Sequence, residues 1–357
     1  MRNPDFYSII RRFRIDGNVK NAYPFGSGHI NDSYKVLTND KNYLLQRINH
    51  EVFKDVRGLT NNISRVSDHL TEKIAGKGSH MQILTSIRTL NGEFIYKDDD
   101  ENNWRVFDFI ENSKSYNRVE NPELAFEGGK AYGWFIKMLN DFPVNTLVET
   151  IPMFHDMNFR LENFQKALNT NPAGRAGEVG KEIDFVNQRA EEMKLVLNLG
   201  KEGKIPIRVT HNDTKINNVL FDQDEKAVCV IDLDTVMPGY VHYDFGDAIR
   251  TFTNTADEDE KDLSKVSMSL ELYEGFAKGF LSETKSILQP AELETLALSA
   301  RIMTYIIGLR FLTDYLDGDV YYKTHYPGHN LTRARVQFRL IESMEAQMSM
   351  MEEIIRK

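Results

Sequence analysis

The chain of 357 residues contains a single cysteine, Cys229, so no disulfide can form within it. This cysteine lies in the apolar run Val228 to Ile231, which favours buried packing over thiol chemistry. Basic residues are in the minority, with 44 Lys and Arg against 53 Asp and Glu, and the formal net charge is −9. Nucleic-acid and membrane-surface binding need concentrated positive charge, so the composition argues against both.

Long hydrophobic runs are also missing from the sequence. No apolar run approaches the length of a membrane span, and the N-terminus, with Asp5 and no apolar segment, does not resemble a secretory signal. Together with the single cysteine, these absences predict a cytoplasmic protein. The chain is 41% hydrophobic and 27% charged. A length prior of about 150 residues per domain then predicts two globular units.

A His-x-Asp motif at residues 211–213 precedes two short apolar strands that are separated by a polar turn. The motif ends at Asp213, the first strand follows Asn218, and the second strand is followed by Asp232. Phosphoryl transfer needs a carboxylate to accept a hydrogen bond from the attacking hydroxyl, and hard oxygen ligands to hold Mg²⁺ on ATP. We therefore predict Asp213 as the catalytic base and Asn218 and Asp232 as Mg²⁺ ligands in an ATP-dependent small-molecule kinase.

Each of these residues taken alone is more often structural, because Asp and Asn are common in turns. The predicted hairpin favours the functional interpretation, because it brings Asn218 and Asp232, the residues at its outer ends, close together. His211 is expected to brace the loop rather than react. Asp244 and Asp247, near the start of the next helical region, are interpreted as acceptors that stabilise loops.

The first hundred residues predict a small β unit that binds the nucleotide, with its later strands at about residues 85–90 and 93–96. Gly26, Ser27 and Gly28 form a turn whose backbone can approach phosphates closely, although an ordinary hairpin turn fits two glycines equally well. The strand that leads out of this unit ends near Asp108 and Ile110, which are predicted to contact adenine through their backbones. The rest of the chain predicts helices, at about residues 123–139, 161–168, 182–199, 265–283, 290–315 and 330–356.

The motif from His211 to Asn218, with Asp232, resembles the aminoglycoside phosphotransferase and choline kinase superfamily. Within it, residues 25–32, 231–235 and 308–324 are similar to the N-acetylhexosamine 1-kinases. This resemblance implies an α+β, bilobal protein-kinase-like fold, with a small antiparallel β N-terminal lobe (residues 1–108) and a large, mainly helical C-terminal lobe (residues 109–357). It also implies that MgATP lies between the lobes and phosphorylates the anomeric hydroxyl of N-acetylglucosamine or N-acetylgalactosamine.

The same resemblance assigns five residues to binding of the sugar: His29, Asn31, Asp234, Arg310 and Tyr321. The segment that begins at His29 matches the phosphate-side turn of that family, and Asp234 orients either the metal-binding Asp232 or the sugar. Tyr321 is suited to stack on the apolar face of a pyranose, and Arg310 to donate to its hydroxyls or amide carbonyl.

One position departs from the wider kinase pattern. Gln46 stands where many relatives place a lysine that pairs with phosphate, and Arg47 lies beside it. Side chains alternate across a strand, so only one of the two faces the nucleotide. We assign Gln46 to the nucleotide site, which leaves the phosphates without a fixed cation at that position.

Two alternatives stay open at the level of sequence. The first is a kinase of another small alcohol, such as choline, homoserine or an aminoglycoside, and the tyrosine-rich segment 315–326 and the negative charge are compatible with it. The second is a pseudokinase that binds nucleotide without turning it over, which is motivated by Gln46. Retention of Asp213, Asn218 and Asp232 argues against the second. The sequence predicts no particular protein partner.

Overall fold

The computed structural model of the protein describes residues 5–26 and 30–357, so the predicted site residues Ser27, Gly28 and His29 lie outside the described residues. The chain divides into two compact units. Unit 1 comprises Met1–Ser115, Met138–Pro152 and Val219–Pro238, and unit 2 comprises Tyr116–Lys137, Met153–Asn218 and Gly239–Lys357.

Unit 1 contains an antiparallel sheet of six strands, as predicted for the N-terminal part of the chain. Its strands are β1 (Val19–Pro24), β2 (Asp32–Thr38), β3 (Asn42–Ile48), β4 (Ser86–Ile87), β5 (Tyr96–Lys97) and β6 (Asn103–Asp108). Their order is β1-β2-β3-β6-β4, and β5 also pairs with β6. The strands predicted at 85–90 and 93–96 are much shorter than expected, because the chain between them makes a tight turn, closed by the hydrogen bond from Thr89 N to Glu93 O.

The two faces of this sheet carry different side chains. One face packs against helix α1 (Phe6–Ile10) and its C-terminal extension to Phe13, and this core comprises Ile9, Ile10, Phe13, Val36, Tyr43, Leu45, Trp104 and Val106. The opposite face bears Gln46 on β3, which lies directly across from Arg105 on β6 in the strand register. Polar side chains therefore lie on the face that α1 does not cover.

Helix α2 (Val56–Ile74) begins at the N-cap Asp55, whose carboxylate accepts a hydrogen bond from Gly58 N at 2.8 Å. On its buried side, the amide of Asn62 donates to the carbonyls of Val148 (2.8 Å) and Val236 (3.0 Å). The second of these bonds fixes the segment that follows the predicted metal ligand Asp232.

The predicted hairpin is present in unit 1 as β8 (Val219–Phe221) and β9 (Ala227–Val230). The strands are antiparallel and Val219 pairs with Val230. A short 3-10 turn, Leu233–Thr235, comes immediately after Asp232. The hairpin prediction is confirmed, because alternating turn and apolar signals are local properties of the sequence.

Unit 2 is mainly helical, as predicted. Its helices are α3 (Pro122–Met138), α4 (Met157–Thr170), α5 (Gly180–Met193), α6 (Leu195–Lys201), α7 (Val241–Phe252), α8 (Leu270–Thr284), α9 (Pro290–Asp317) and α10 (His329–Arg356), and it contains the strand β7 (Arg208–Thr210). The last strand, β10 (Met237–Gly239), begins in the final segment of unit 1. Helix α9 begins with Pro290 at its first turn and a capping box between Gln289 and Glu292, and ends at Gly318 with φ 98°.

Helix α9 is long and apolar enough to cross a membrane by length and composition. The prediction that no apolar segment approaches the length of a membrane span was therefore wrong for α9. However, 83% of the most apolar window of α9 is buried inside the protein. Its side chains, among them Ile302, Ile306 and Leu309, pack in the core of unit 2. The helix is apolar on nearly every side because neighbouring helices surround it.

Candidate active site

The loop that follows β7 is held by two buried carboxylates of α7. Asp244 accepts hydrogen bonds from the backbone amides of His211 (2.8 Å) and Asn212 (2.7 Å). Asp247 accepts one from the amide of Thr214 at 3.0 Å. The prediction that Asp244 and Asp247 stabilise loops is confirmed, and the loop they stabilise is the one that carries Asp213.

His211 is fully buried in this loop and does not reach solvent. Its Nδ1 accepts a hydrogen bond from the amide of Asp213 at 3.3 Å. Its ring packs edge-on against Tyr132 and Phe135, with centroids 5.6 and 5.9 Å away. These contacts support the expected bracing role, because a buried ring with such neighbours cannot approach a substrate.

Asp213 and Asn218 are brought together in unit 2, and Lys215 joins them. The side-chain amide of Asn218 donates to Asp213 Oδ2 at 3.0 Å, and Lys215 Nζ lies 2.8 Å from the same oxygen. Burial raises the pKa of Asp213, but the charges and hydrogen bonds of Lys215, His211 and Asn218 outweigh it and hold the pKa below its ordinary value. The carboxylate is therefore ionised at neutral pH, and 30% of its side chain remains exposed.

The predicted metal ligands differ in their surroundings. Asn218 is buried, and since its Nδ2 faces Asp213, its Oδ1 is turned away from that carboxylate. Asp232 is exposed and adopts a left-handed backbone conformation with φ 61°. An amide oxygen and a carboxylate are hard donors that fit Mg²⁺, which commonly takes one or two carboxylates and completes its shell with water and phosphate. Among residues 5–26 and 30–357, no three His, Cys, Asp or Glu side chains form a dedicated metal cluster.

Arg310 of α9 is surrounded by aromatic rings. Its guanidinium carbon lies 5.1 Å from the ring centre of Phe154, 5.8 Å from that of Tyr321 and 5.5 Å from that of Tyr322. The structure thus brings together the predicted sugar residues Arg310 and Tyr321, and Tyr321 is 59% exposed. Among the described residues, Arg310 makes no ion pair. Phe154 was not predicted, because no local signal in the sequence marks it.

His155 connects the Arg310 cluster with the catalytic loop. It is buried, and its Nε2 lies 3.3 Å from the carbonyl of Asn212. Burial, and after it the positive charge of Arg310 and more weakly of Arg160, lowers the pKa of His155 to about 3, although the carbonyl of Asn212 and the charge of Asp213 act in the opposite direction. The imidazole is therefore neutral, and Arg310, Arg160 and Asp213 all lie within electrostatic range of it.

In unit 1, four polar side chains form a connected network on the sheet face opposite α1. Arg105 Nε donates to Gln46 Oε1 at 3.0 Å, and Arg105 Nη1 lies 2.5 Å from Asp234 Oδ1. Asn31 Nδ2 donates to Asp234 Oδ2 at 2.6 Å. Arg47 instead points to the other face, where its Nε donates to Asp32 at 2.8 Å. The alternation of β3 thus places Gln46, and not Arg47, beside Arg105.

The end of β6 and the first turn of the sheet contain the other predicted nucleotide contacts. Asp108 is engaged twice, since its amide donates to Thr85 O at 3.0 Å and its carboxylate lies 2.8 Å from Lys41 Nζ. The amide of Ile110, which is 8% exposed, donates no hydrogen bond to a described residue. Gly26 adopts φ 81° and has open space around it, which suits a turn that approaches a ligand.

Two further residues that matter in this geometry, Lys215 and Arg105, were not predicted from the sequence. Lys215 could have been found from its position two residues after Asp213, since a cation beside a predicted base is a local signal. Arg105 could not, because it lies 59 residues from Gln46 in the chain and meets it only through strand pairing.

Comparison with known proteins identifies the family of the chain. The sequence profile of the phosphotransferase enzyme family (APH) matches residues 22–277, and the chain belongs to this family. It is therefore a small-molecule phosphotransferase of the aminoglycoside phosphotransferase and choline kinase type.

Solved structures share the fold at low sequence identity. The aminoglycoside phosphotransferase from Alicyclobacillus acidocaldarius has a TM-score of 0.65 at 10% identity, covering 100% of this chain and 98% of that one. Choline kinase from Cryptosporidium parvum has a TM-score of 0.57 at 15% identity, covering 96% of both chains. Spectinomycin phosphotransferase, solved with ADP and spectinomycin, has a TM-score of 0.57 at 13% identity, covering 96% of this chain and 97% of that one. The predicted kinase-like α+β fold is confirmed.

Proposed function

We propose that this phosphotransferase moves the γ-phosphoryl group of MgATP to the anomeric hydroxyl of an N-acetylhexosamine, N-acetylglucosamine or N-acetylgalactosamine, and produces the sugar 1-phosphate. The observation that carries the acceptor class is the cluster of Arg310 with Phe154, Tyr321 and Tyr322 in the same unit as Asp213.

The chemistry of this cluster suits an amide-bearing sugar. Aromatic rings bind the apolar face of a pyranose, and a guanidinium donates to hydroxyl and carbonyl oxygens. Tyr321 is exposed enough to contact a ligand, and Arg310 makes no ion pair among the described residues, so it can donate to a neutral acceptor. An acetamido carbonyl is such an acceptor.

Ammonium-bearing acceptors fit this cluster poorly. Choline and related amines are bound through the faces of aromatic rings, but here Arg310 already lies against three of those rings. Arg160 adds a second positive charge, because burial and the charge of Arg310 lower its pKa only to about 10 and it stays protonated at neutral pH. A cationic substrate would therefore meet two guanidinium groups where it requires ring faces or carboxylates.

Asp213 acts as the general base of the proposed reaction. Its ionised carboxylate accepts a hydrogen bond from the anomeric hydroxyl, a hemiacetal group that is more acidic than the other sugar hydroxyls and needs only a modest base. Lys215, beside it, places a positive charge where the transferred group carries negative charge. Asn218 and Asp232 would hold Mg²⁺, which neutralises phosphate charge when bound.

The test is a panel of acceptors with MgATP, read by ³¹P NMR. The panel contains both N-acetylhexosamines, plain hexoses, choline, homoserine and an aminoglycoside. We expect a phosphate signal coupled to an anomeric proton, reduced about 10²- to 10⁴-fold in Asp213→Asn. Arg310→Met should raise the KM for the sugar, whereas Arg356→Gln, at a side chain 71% exposed on the last helix, should not.

Phosphorylation of choline or homoserine in place of a sugar would contradict the proposed acceptor. It would instead favour the alternative that the protein is a kinase of another small alcohol. Binding of ATP without turnover on any acceptor in the panel would favour the pseudokinase alternative.

A further inference from the structure

We propose that Arg105 of β6 is the cation that binds the ATP phosphates in unit 1, in the role that Gln46 cannot fill, and that Gln46 and Asp234 position its guanidinium. This inference rests on the proposed use of MgATP, but it concerns binding of the nucleotide and not the identity of the acceptor.

The placement of Arg105 follows from strand register. Ser33 on β2 pairs with Gln46 on β3, and Gln46 pairs with Arg105 on β6, so the three side chains lie in one row on one sheet face. Hydrogen bonds run along the row: Gln46 Nε2 donates to Ser33 Oγ at 2.9 Å, and Arg105 Nε donates to Gln46 Oε1 at 3.0 Å. Gln46 therefore orients an arginine one strand away from where a lysine would stand.

Asp234 holds the other side of the same guanidinium. The two side chains are 4% and 5% exposed, and Arg105 Nη1 lies 2.5 Å from Asp234 Oδ1. Asn31 donates to the second oxygen of Asp234, and the guanidinium also lies 4.9 Å from the ring centre of Phe107. A buried arginine needs such support, because desolvation of an isolated charge is costly.

The guanidinium nevertheless retains donors for a ligand. Arginine has five N–H donors, of which Gln46 takes one at Nε and Asp234 engages Nη1. The structure gives Nη2 no hydrogen bond to a described residue. Nη1 is buried and, although it lies in ion-pair contact with Asp234, makes no hydrogen bond to a described residue. Buried donors without acceptors are disfavoured, and phosphate oxygens match the planar fork of arginine well.

Neighbouring residues of unit 1 support the same assignment. Asp234 is two residues from Asp232, the predicted metal ligand, so the carboxylate that positions Arg105 belongs to the segment expected at the phosphates. Two other cations on β2 and β3 are occupied elsewhere: Lys35 lies 3.6 Å above the ring of Phe109, and Arg47 pairs with Asp32 on the opposite face.

The experiment measures nucleotide binding by isothermal titration calorimetry without any sugar present. Arg105→Gln should weaken binding of MgATP and MgADP about 10- to 100-fold, the range expected for loss of hydrogen bonds to a charged group. Binding of adenosine, which has no phosphate, should stay within about twofold. Arg47→Gln, on the other face of the sheet, is the matched control and should leave both affinities unchanged.

A rescue variant separates phosphate binding from structural support. The double variant Gln46→Lys with Arg105→Gln returns a cation to β3, and it should recover at least a tenth of the wild-type affinity for MgATP. Equal losses for MgATP and adenosine in Arg105→Gln, with no recovery in the double variant, would assign Arg105 to folding alone. Unchanged MgATP affinity in Arg105→Gln, or no nucleotide binding by the wild type, would also overturn the proposal. If binding of MgATP depends on Arg105 but no N-acetylhexosamine is phosphorylated, this inference stands and the proposed acceptor falls.

Discussion

The carboxylate of Asp244 and the backbone amide of His211 are joined by a hydrogen bond of 2.8 Å, in a part of unit 2 where both residues are buried. The second oxygen of Asp244 accepts from the amide of Asn212 at 2.7 Å. One side chain of α7 thus satisfies two consecutive amides of the loop that ends in Asp213.

Asp244→Ala should therefore reduce both stability and turnover. It leaves two buried N–H groups without acceptors, each costing about 1–3 kcal/mol, so we expect the free energy of unfolding to fall by about 2–6 kcal/mol. The kcat should fall as well, because Asp213 loses its fixed position, while the KM for ATP changes little. Urea unfolding and steady-state kinetics measure these effects. Asp224→Ala, in the exposed turn between β8 and β9, is the control. A full-activity Asp244→Ala would contradict the positioning role.

A second prediction concerns Asp314, whose buried carboxylate accepts hydrogen bonds from the amides of Val320 (2.9 Å), Tyr321 (2.8 Å) and Tyr322 (3.0 Å). These bonds shape the turn that presents Tyr321 and Tyr322 to Arg310. Asp314→Asn removes charge and acceptor capacity, so the KM for the acceptor should rise about tenfold or more, with the KM for ATP unchanged.

The matched control for that variant is Asp317→Asn, which lies one helical turn later on α9. It should leave the KM for the acceptor at the wild-type value. Equal increases in the KM for acceptor and for ATP in Asp314→Asn would indicate general loss of folding rather than a local change in the turn.

A third prediction concerns the close crossing of α3 and α8. A Cβ added at Gly279 would lie 2.0 Å from Phe126 O. The other atoms nearest to it are also backbone atoms of α3, so the clash could be relieved only by moving one helix away from the other. Gly279→Ala should lower the free energy of unfolding by about 3 kcal/mol or more. Gly177→Ala, where no atom lies within 4 Å, should change it by less than about 0.5 kcal/mol. Similar values for the two variants in chemical denaturation would exclude a tight helix crossing.

A fourth prediction concerns acid. His242 is fully buried, with Nε2 2.8 Å from Thr295 Oγ1, and burial lowers its pKa to about 3. The folded-state pKa lies below the unfolded value of 6.5, so acid protonates His242 more readily in the unfolded chain. The contribution of the neutral, buried His242 to the free energy of unfolding is therefore fully present above pH 6.5 and is lost as the pH falls toward 3. The loss is about 1.4 kcal/mol per pH unit within that window.

His242→Gln keeps a polar group of similar size that cannot gain a proton. The free energy of unfolding, measured by urea at pH 7, 6 and 5, should therefore fall less steeply in the variant than in the wild type. Parallel pH dependence of the two proteins would show that His242 is not the neutral buried group described here.

Much of the candidate site was predicted by patterns that are local in the chain. Asp213 and Asn218, five residues apart, were selected from their spacing as base and metal ligand, and the structure places their side chains in contact. The β8–β9 hairpin and the long helices were predicted for the same reason, since turn residues and apolar periodicity act over a few residues. The short strands β4 and β5 were overestimated, because strand length depends on partners that local patterns do not specify.

Sequence alone determined the family motif, the alternation of β3 that allows only Gln46 or Arg47 to face the nucleotide, and the helical character of unit 2. Only the tertiary structure decided that Gln46, and not Arg47, lies beside Arg105. That choice depends on which face of the sheet is covered by α1. The tertiary structure also decided that Asp234 engages Arg105 and that Phe154 joins Arg310. These partners come from distant parts of the chain, and their contacts arise from strand pairing and helix packing, which leave no spacing in the sequence to be recognised.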